Sequence, residues 1–241
     1  MEELRCCLCG TKYDSAAEAC PACGCPSEII KNADSALAKY EEQGLLSRTE
    51  NGTVLYGKYD QGNGEQPIEW QILMPYENAL FLISKNILDY IPYHEEKVDA
   101  VSWENCSLRV WLEKTFACKA FTEDQLKLLA TVELIPDAND GSLEYGAPAI
   151  GKPVFDTIFV LSLTEAMGTL SEMTAYSDFT EYSRKKAEAK DGEPGFWWTR
   201  TPGNSHNYAM SFSTDGTINS YGFDVTLPVG VRPALFIKFP E

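Results

Sequence analysis

The sequence predicts an α+β fold in two parts, a small cysteine-rich N-terminal unit and a larger domain with strands at both ends and helices between them. Three observations carry this. Two Cys-x-x-Cys-Gly turns, Cys6-Cys7-Leu8-Cys9-Gly10 and Cys20-Pro21-Ala22-Cys23-Gly24, stand in the first 25 residues. Amphipathic spacing and a helix-capping sequence mark helices in the middle of the chain. Turn-bounded strand patterns begin at Thr53 and return from Phe196 to the end.

In each cysteine turn two thiols three positions apart converge, and the trailing Gly supplies the positive φ that curls the backbone round an ion. Two such pairs make a closed four-sulfur cage. The expected cofactor is therefore one structural zinc in a zinc ribbon over residues 1–31, held by Cys6, Cys9, Cys20 and Cys23. Cys7 and Cys25 lie beside these ligands and leave the set open, although only the first four repeat the spacing and the trailing Gly. Iron in a rubredoxin-like role fits the same sulfurs. The competing reading is a disulfide-stapled arm of the kind found in secreted mini-domains. Met1 to Arg5 has no apolar h-region, so the expectation is a reducing, cytoplasmic setting. A closed cage has no open coordination position, and catalysis by the metal is not expected.

Residues 32–47 read as a helix with Ala36, Leu37, Tyr40 and Leu45 roughly on one face and Gly44 near its end. This makes residues 32–49 a helical linker, or alternatively an N-terminal helix packed on the main domain of residues 50–241. Strands follow at Thr53–Tyr59, Pro67–Met74 and Asn78–Lys85, the last two as a hairpin around Pro75-Tyr76-Glu77. A helix is expected over Glu104–Phe116, with Leu108, Trp111, Leu112 and Phe116 spaced to face a core. A second opens on the capping box Thr122-Glu123-Asp124-Gln125 and buries Leu126, Leu129 and Ala130. The stretch from Pro136 to Pro153 is an irregular loop, and loops of that length are usually functional or disordered. Asp156–Leu161 is a short buried strand running into a second capping box, Ser162-Leu163-Thr164-Glu165. The charged stretch Arg184–Glu193 reads as an exposed helix end and loop. Phe196–Arg200 is an aromatic strand. Thr214-Asp215-Gly216 joins Tyr208–Ser213 to Thr217–Phe223 as a hairpin, and Val231–Phe239 closes the fold.

At 241 residues, 44% apolar and 23% charged, the chain has the composition of a soluble globular protein, and no apolar run approaches membrane-spanning length. The formal net charge of −16 repels phosphate backbones and anionic membranes. Nucleic-acid binding is disfavoured despite the ribbon, and the plain reading of the charge is solubility. Cys106 and Cys118, outside the ribbon, read as buried free thiols in or beside a helix.

A series of segments resembles a bacterial family, domain of unknown function 6273. The series runs through Tyr56-Gly57-Lys58-Tyr59, Ile68-Glu69-Trp70-Gln71-Ile72-Leu73, Leu82-Ile83-Ser84-Lys85 with Ile87-Leu88, and Trp103-Glu104-Asn105-Cys106-Ser107-Leu108-Arg109 with Trp111-Leu112. It continues through Ala120-Phe121-Thr122, Ile158-Phe159-Val160-Leu161-Ser162 with Glu165-Ala166, Trp197-Trp198-Thr199-Arg200-Thr201-Pro202-Gly203 and Gly230-Val231-Arg232-Pro233-Ala234-Leu235. The order is collinear over nearly all of residues 50–239. Thr199 and Thr201 depart from the family's usual Trp-Leu-Arg-Ser. The Trp-x-Arg and Val-Arg-Pro-Ala segments also look like the C-type-lectin-like fold and the formylglycine-generating enzyme family. That likeness implies paired terminal strands, two helices on a twisted antiparallel sheet and a long loop region. It does not carry function.

Neither chemistry transfers. Formylglycine generation needs two late cysteines for copper, and none follows Cys118. Calcium lectins use Glu-Pro-Asn and Trp-Asn-Asp; here Glu193-Pro194-Gly195 lacks the side-chain carbonyl and the second triplet is missing, so calcium-dependent sugar binding is not expected. His94 and His206, the two histidines, have no Gly-x-Ser-x-Gly elbow beside them. Arg200 and Arg232 lie in aromatic strands. They read either as ligand contacts or as structural cations paired with carboxylates such as Glu165 or Glu69. In a strand, consecutive Trp197 and Trp198 face opposite ways, so one of them is expected to meet solvent or ligand.

The function this supports is a non-enzymatic protein- or peptide-binding module with Trp198, Arg200, His206 and Arg232 as contact candidates. The alternatives are an enzyme of unrecognised type on the same surface, or ribbon-mediated nucleic-acid binding. A deep cluster of convergent polar groups would favour the enzyme; a shallow aromatic face would favour the binder.

Overall fold

The computed structural model describes residues 3–137, 144–170, 175–190, 193 and 195–240. Strands β1 (Glu3–Arg5) and β2 (Lys12–Asp14) pair antiparallel with the first cysteine turn between them. Gly10 and Gly24 take φ of 72° and 75°, and their N–H groups donate to the carbonyls of Cys6 and Cys20. Helix α1 (Ser27–Glu42) starts earlier than its periodicity suggests, directly after Pro26, which has no N–H to leave unpaired at a helix start. It is finished before Gly44, whose φ of 68° leaves the helical region. Ile30 of α1 packs into the cysteine unit, while Ala33, Leu37 and Tyr40 enter the core of the main body. The Tyr40 hydroxyl donates to the carbonyl of Lys238 at 2.8 Å. Helix α1 therefore touches both.

The main body is α+β, as its pattern predicts. Strands β3 (Ser47–Arg48), β4 (Val54–Asp60), β5 (Glu65–Pro75) and β6 (Ala79–Ser84) lie in one sheet, and β7 (Asp89–Pro92) begins a second. A helical run follows: α2 (Ser107–Trp111), a π-turn over Leu112–Phe116, and α3 (Ala117–Ala120); Cys106 is buried as expected, but Cys118 is exposed, because α3 turns Ala117 and Ala120 inward instead. Helix α4 (Glu123–Leu128) has the predicted reciprocal cap, Thr122 Oγ1 accepting from Gln125 N and Gln125 Oε1 accepting from Thr122 N. Of the residues expected to be buried there, Leu129 is; Leu126 and Ala130 are half-buried, because the helix ends at Leu128 and lies on the surface.

Strands β8 (Val132–Leu134) and β9 (Val154–Asp156) make a separate ribbon across the irregular loop, of which residues 138–143 lie outside the described residues. Then come β10 (Ile158–Phe159), α5 (Leu163–Thr169), α6 (Glu181–Ala187), and the hairpin-rich end: β11 (Phe196–Pro202), β12 (Tyr208–Ser213), β13 (Ile218–Asp224), β14 (Pro228–Val231) and β15 (Ala234–Lys238).

The first sheet runs β10-β15-β6-β5-β4-β3, antiparallel throughout, and the second runs β13-β12-β11-β14-β7 with β11 and β14 parallel. The closing strand expected over Val231–Phe239 forms as β15 from Ala234 to Lys238, while Val231 is the last residue of β14 in the other sheet. Pro233 causes the break: it offers no ladder donor and holds its predecessor extended. At this crossover Arg232 Nε donates to Ser84 O at 2.7 Å, and Pro233 O accepts from Ser84 N at 2.8 Å. Trp70, Trp197, Trp198, Tyr56, Phe116 and Phe159 fill the core around it.

Candidate functional site

The thiol sulfurs of Cys6, Cys9, Cys20 and Cys23 all lie within 4.8 Å of one another, with Cys6–Cys23 and Cys9–Cys20 separations of 3.5 Å. A tetrahedron with metal–sulfur bonds of about 2.3 Å has edges of about 3.8 Å, so the four sulfurs fit one metal ion. Cys7 and Cys25 fall outside this set. Burial, then the neighbouring Cys25, pushes the Cys7 thiol up to about 12 and keeps it protonated. Burial raises Cys9, but the hydroxyl and N–H of Thr11 together with the neighbouring Cys20 and Cys6 bring that thiol down to about 6.

The four ligand candidates of the main body do not form one constellation. Trp197 and Trp198 do face opposite sides of β11, yet both are 0% exposed, which corrects the expectation that one faces outward. The reason is that β11 is the central strand of its sheet and both of its faces are covered. Trp198 Nε1 donates to Ile91 O at 3.0 Å, while Trp197 stacks on Phe212 with ring centres 4.9 Å apart. Arg232 is also fully buried. Its guanidinium lies 5.2 Å over Trp197, it donates to Gln71 Oε1 at 2.6 Å, and burial lowers its pKa to about 9. Glu69 is engaged elsewhere, with Lys85 at 2.9 Å.

Arg200 is 7% exposed and forks onto Glu165 with two contacts of 2.6 Å. His206 is half-buried, its Nε2 3.0 Å from Pro148 O and its own carbonyl accepting from Val101 N at 2.9 Å. These two belong to one neighbourhood. Arg200 lines a narrow cleft with Tyr93, Trp103, Lys152, Pro202 and Tyr208, and its interior has room for about one water-sized group. From Tyr208 the surface continues as an aromatic chain: Tyr208 meets Tyr221 edge-on at 5.6 Å, and Tyr221 meets Tyr145 at 5.2 Å. Tyr221 is 45% exposed.

Sequence reasoning passed over Tyr208, Tyr221 and Lys152. The Thr214-Asp215-Gly216 turn held the usable signal, since the hairpin it closes brings the two tyrosines onto adjacent strands. Lys152 sits in the irregular loop and had none.

Two other groupings were equally hidden. Ser107 Oγ lies 3.1 Å from His94 Nδ1, but the same nitrogen accepts from Ser107 N at 3.2 Å, so the imidazole caps the start of α2. No carboxylate orients its other nitrogen among the described residues, and a nucleophile–base–acid set is not assembled. Asp156 is buried and accepts from Trp103 Nε1 at 2.7 Å and Arg109 Nε at 2.8 Å. Glu113, in the π-turn, is raised to about 7 by partial burial and then by Asp156 beside it.

The sequence profile described as Domain of unknown function (DUF6273) matches residues 77–239. No curated protein and no solved structure matches the chain. No helix among the described residues is long and apolar enough to cross a membrane.

Proposed function

The chain belongs to the DUF6273 family, and from that premise we propose that it is a zinc-ribbon protein acting as a non-enzymatic protein- or peptide-binding module. The observation that carries this reading is the Tyr145–Tyr221–Tyr208 chain, exposed at Tyr221 and half-buried at its two ends, running into the cleft at Arg200. Tyrosine gives a large contact area at low entropic cost, which suits a surface that grips a chain. His206 and Arg200 border this face; Trp198 supports it from within through Tyr93, while Arg232 lies on the opposite side of β11. Four soft sulfurs favour zinc over harder cations, the closed cage fits a structural role, and the free thiols fit a reducing compartment such as the cytoplasm. Pairing of β6 with β15, near the two ends of the family match, supports a lectin-like arrangement of the domain. The negative charge argues for a protein partner over nucleic acid or membrane.

The test is selection of random peptides on the full, metal-loaded chain, followed by titration against a Tyr208→Ala/Tyr221→Ala variant. Loss of affinity by about tenfold or more, equivalent to about 1.4 kcal/mol, is expected. Unchanged affinity would remove this face from the binding surface, and failure to select any peptide would count against the module reading as a whole.

A further inference from the structure

We infer that the cleft at Arg200 receives the carboxy-terminal carboxylate of a peptide, whose last side chains lie on the tyrosine surface beside it. This rests on the reading of that face as a peptide-contact surface and deepens it by naming the recognised end of the peptide.

The polar groups of the cleft divide unevenly. Glu165 takes one N–H from each terminal nitrogen of Arg200, which leaves Nε–H and one further N–H on each nitrogen without a protein acceptor among the described residues. Arg200 is nevertheless more than nine-tenths buried and lines the cleft. Unused cationic donors at such a position call for an acceptor from outside. Lys152 lines the same cleft, is exposed, and enters no ion pair among the described residues.

The carboxylates nearby are already occupied. Glu165 is held in the Arg200 fork. Asp137 accepts from Thr164 Oγ1 and Thr201 Oγ1, each at 2.6 Å, and from Thr164 N at 3.3 Å. Glu104 Oε2 accepts from the backbone N–H of Lys152 at 3.1 Å. The spare N–H groups of Arg200 and the ammonium of Lys152 are donors that complement a carboxylate, and Asp137 and Glu104 line the same cleft as acceptors. The interior has room for about one water-sized group, such as a single carboxylate oxygen, and for no side chain. The body of a ligand must therefore remain at the mouth, where Tyr208 opens onto Tyr221 and Tyr145. Backbone and cationic capture of a peptide's end is an established mode of recognition.

The test is an NMR titration of the full, metal-loaded chain with acetyl-Ala-Ala-Phe as free acid, with its amide, and with acetate. For the free acid, shifts are expected at Ser102, Lys152, Tyr208 and the Nε–H of Arg200, with affinity about tenfold or more above that of the amide. Lys152→Met is expected to weaken the acid about three- to tenfold and to leave the amide unchanged. Arg200 is left intact because its loss would strand Glu165. Equal binding of acid and amide at these residues would overturn the carboxylate inference while the peptide-surface reading stood. Acetate binding as tightly as the tripeptide would overturn the peptide as occupant. If neither tripeptide shifted these residues while selected peptides still bound, the inference would fall alone; if those failed too, both would fall.

Discussion

Arg200 and Glu165 form a two-pronged ion pair, and the same carboxylate accepts the backbone N–H of Ser162 at 2.9 Å. One side chain thus closes the start of α5 and ties it to β11, the central strand of the second sheet. The Arg200 side chain is 5% exposed and that of Glu165 is 29% exposed, so the pair is only partly screened. Glu165→Gln keeps a group that can cap the helix but removes the charge. It is expected to lower stability by about 2 kcal/mol, since a buried arginine is left without its counter-charge. Glu165→Ala removes the cap as well and should lose about 1 kcal/mol more. Urea unfolding of the three chains measures both, and a Gln variant as stable as wild type would show that the ion pair adds nothing beyond the cap.

Gly57 of Tyr56-Gly57-Lys58-Tyr59 sits at φ 68°, where β4 slips register against β5. A Cβ there would lie 2.6 Å from the Phe121 ring and 2.7 Å from the carbonyl of Ala120. Neither neighbour can yield easily, because Phe121 is buried against Tyr56, with ring centres 5.1 Å apart. Gly57→Ala should therefore cost about 2–4 kcal/mol, from the left-handed backbone and the overpacking together. A thermal or urea midpoint within error of wild type would contradict this. At Gly64, also at positive φ but with nothing within 4 Å, the same change should cost about 1–2 kcal/mol.

Local signals carried the fold further than the site. The capping boxes at Thr122 and Ser162, the turn at Asp215-Gly216 and the cysteine turns are all written within a few residues, and each forms. The Arg200–Glu165 pair was legible because both residues stand out within regular elements. What failed depended on the sheets as wholes. Alternation along β11 does turn Trp197 and Trp198 apart, but whether a face is solvated depends on what packs over it, here Tyr93 on one side and Arg232 on the other. The break at Arg232–Pro233 leaves Val231 in the second sheet and the rest of the closing strand in the first, and nothing but the Pro marks it. The cleft draws Tyr93, Trp103, Lys152 and Tyr208 from four separate segments, so no spacing could reveal it.

The metal should be a fold cross-link felt beyond its own cage. Cys6, Cys20 and Cys25 pack with Ile30 of α1, and the same helix places Leu37 and Tyr40 in the main core. Elemental analysis should find one zinc per chain. Cys9→Ser should lose most of it, and a Cys9→Ser chain that kept its full metal would sink the assignment. Chelation should release the ribbon and lower the thermal midpoint of the whole chain, because binding energy at such a site is folding energy. A midpoint unmoved by chelation would mean that α1 holds its place without the metal.

Glu113 should make stability fall as pH rises through neutrality. Its carboxyl is raised to about 7 from the usual carboxylate range by partial burial, then by the neighbouring Asp156, against the opposing pull of Arg109 and Lys114. The folded chain therefore holds a proton that the unfolded chain has released between roughly pH 4.5 and 7. The associated stability is fully present below the lower value and is lost as pH passes the upper one. Because Glu113 is partly solvated, the loss is expected to be only about 1 kcal/mol after screening. Asp156 is paired with Arg109 at 2.6 Å. Glu113→Gln removes the titration while keeping a donor toward Asp156. Its urea midpoint should change less between pH 5 and 8 than that of wild type, and it should be the more stable chain at pH 8. Parallel profiles for the two chains would show that Glu113 does not titrate in this range.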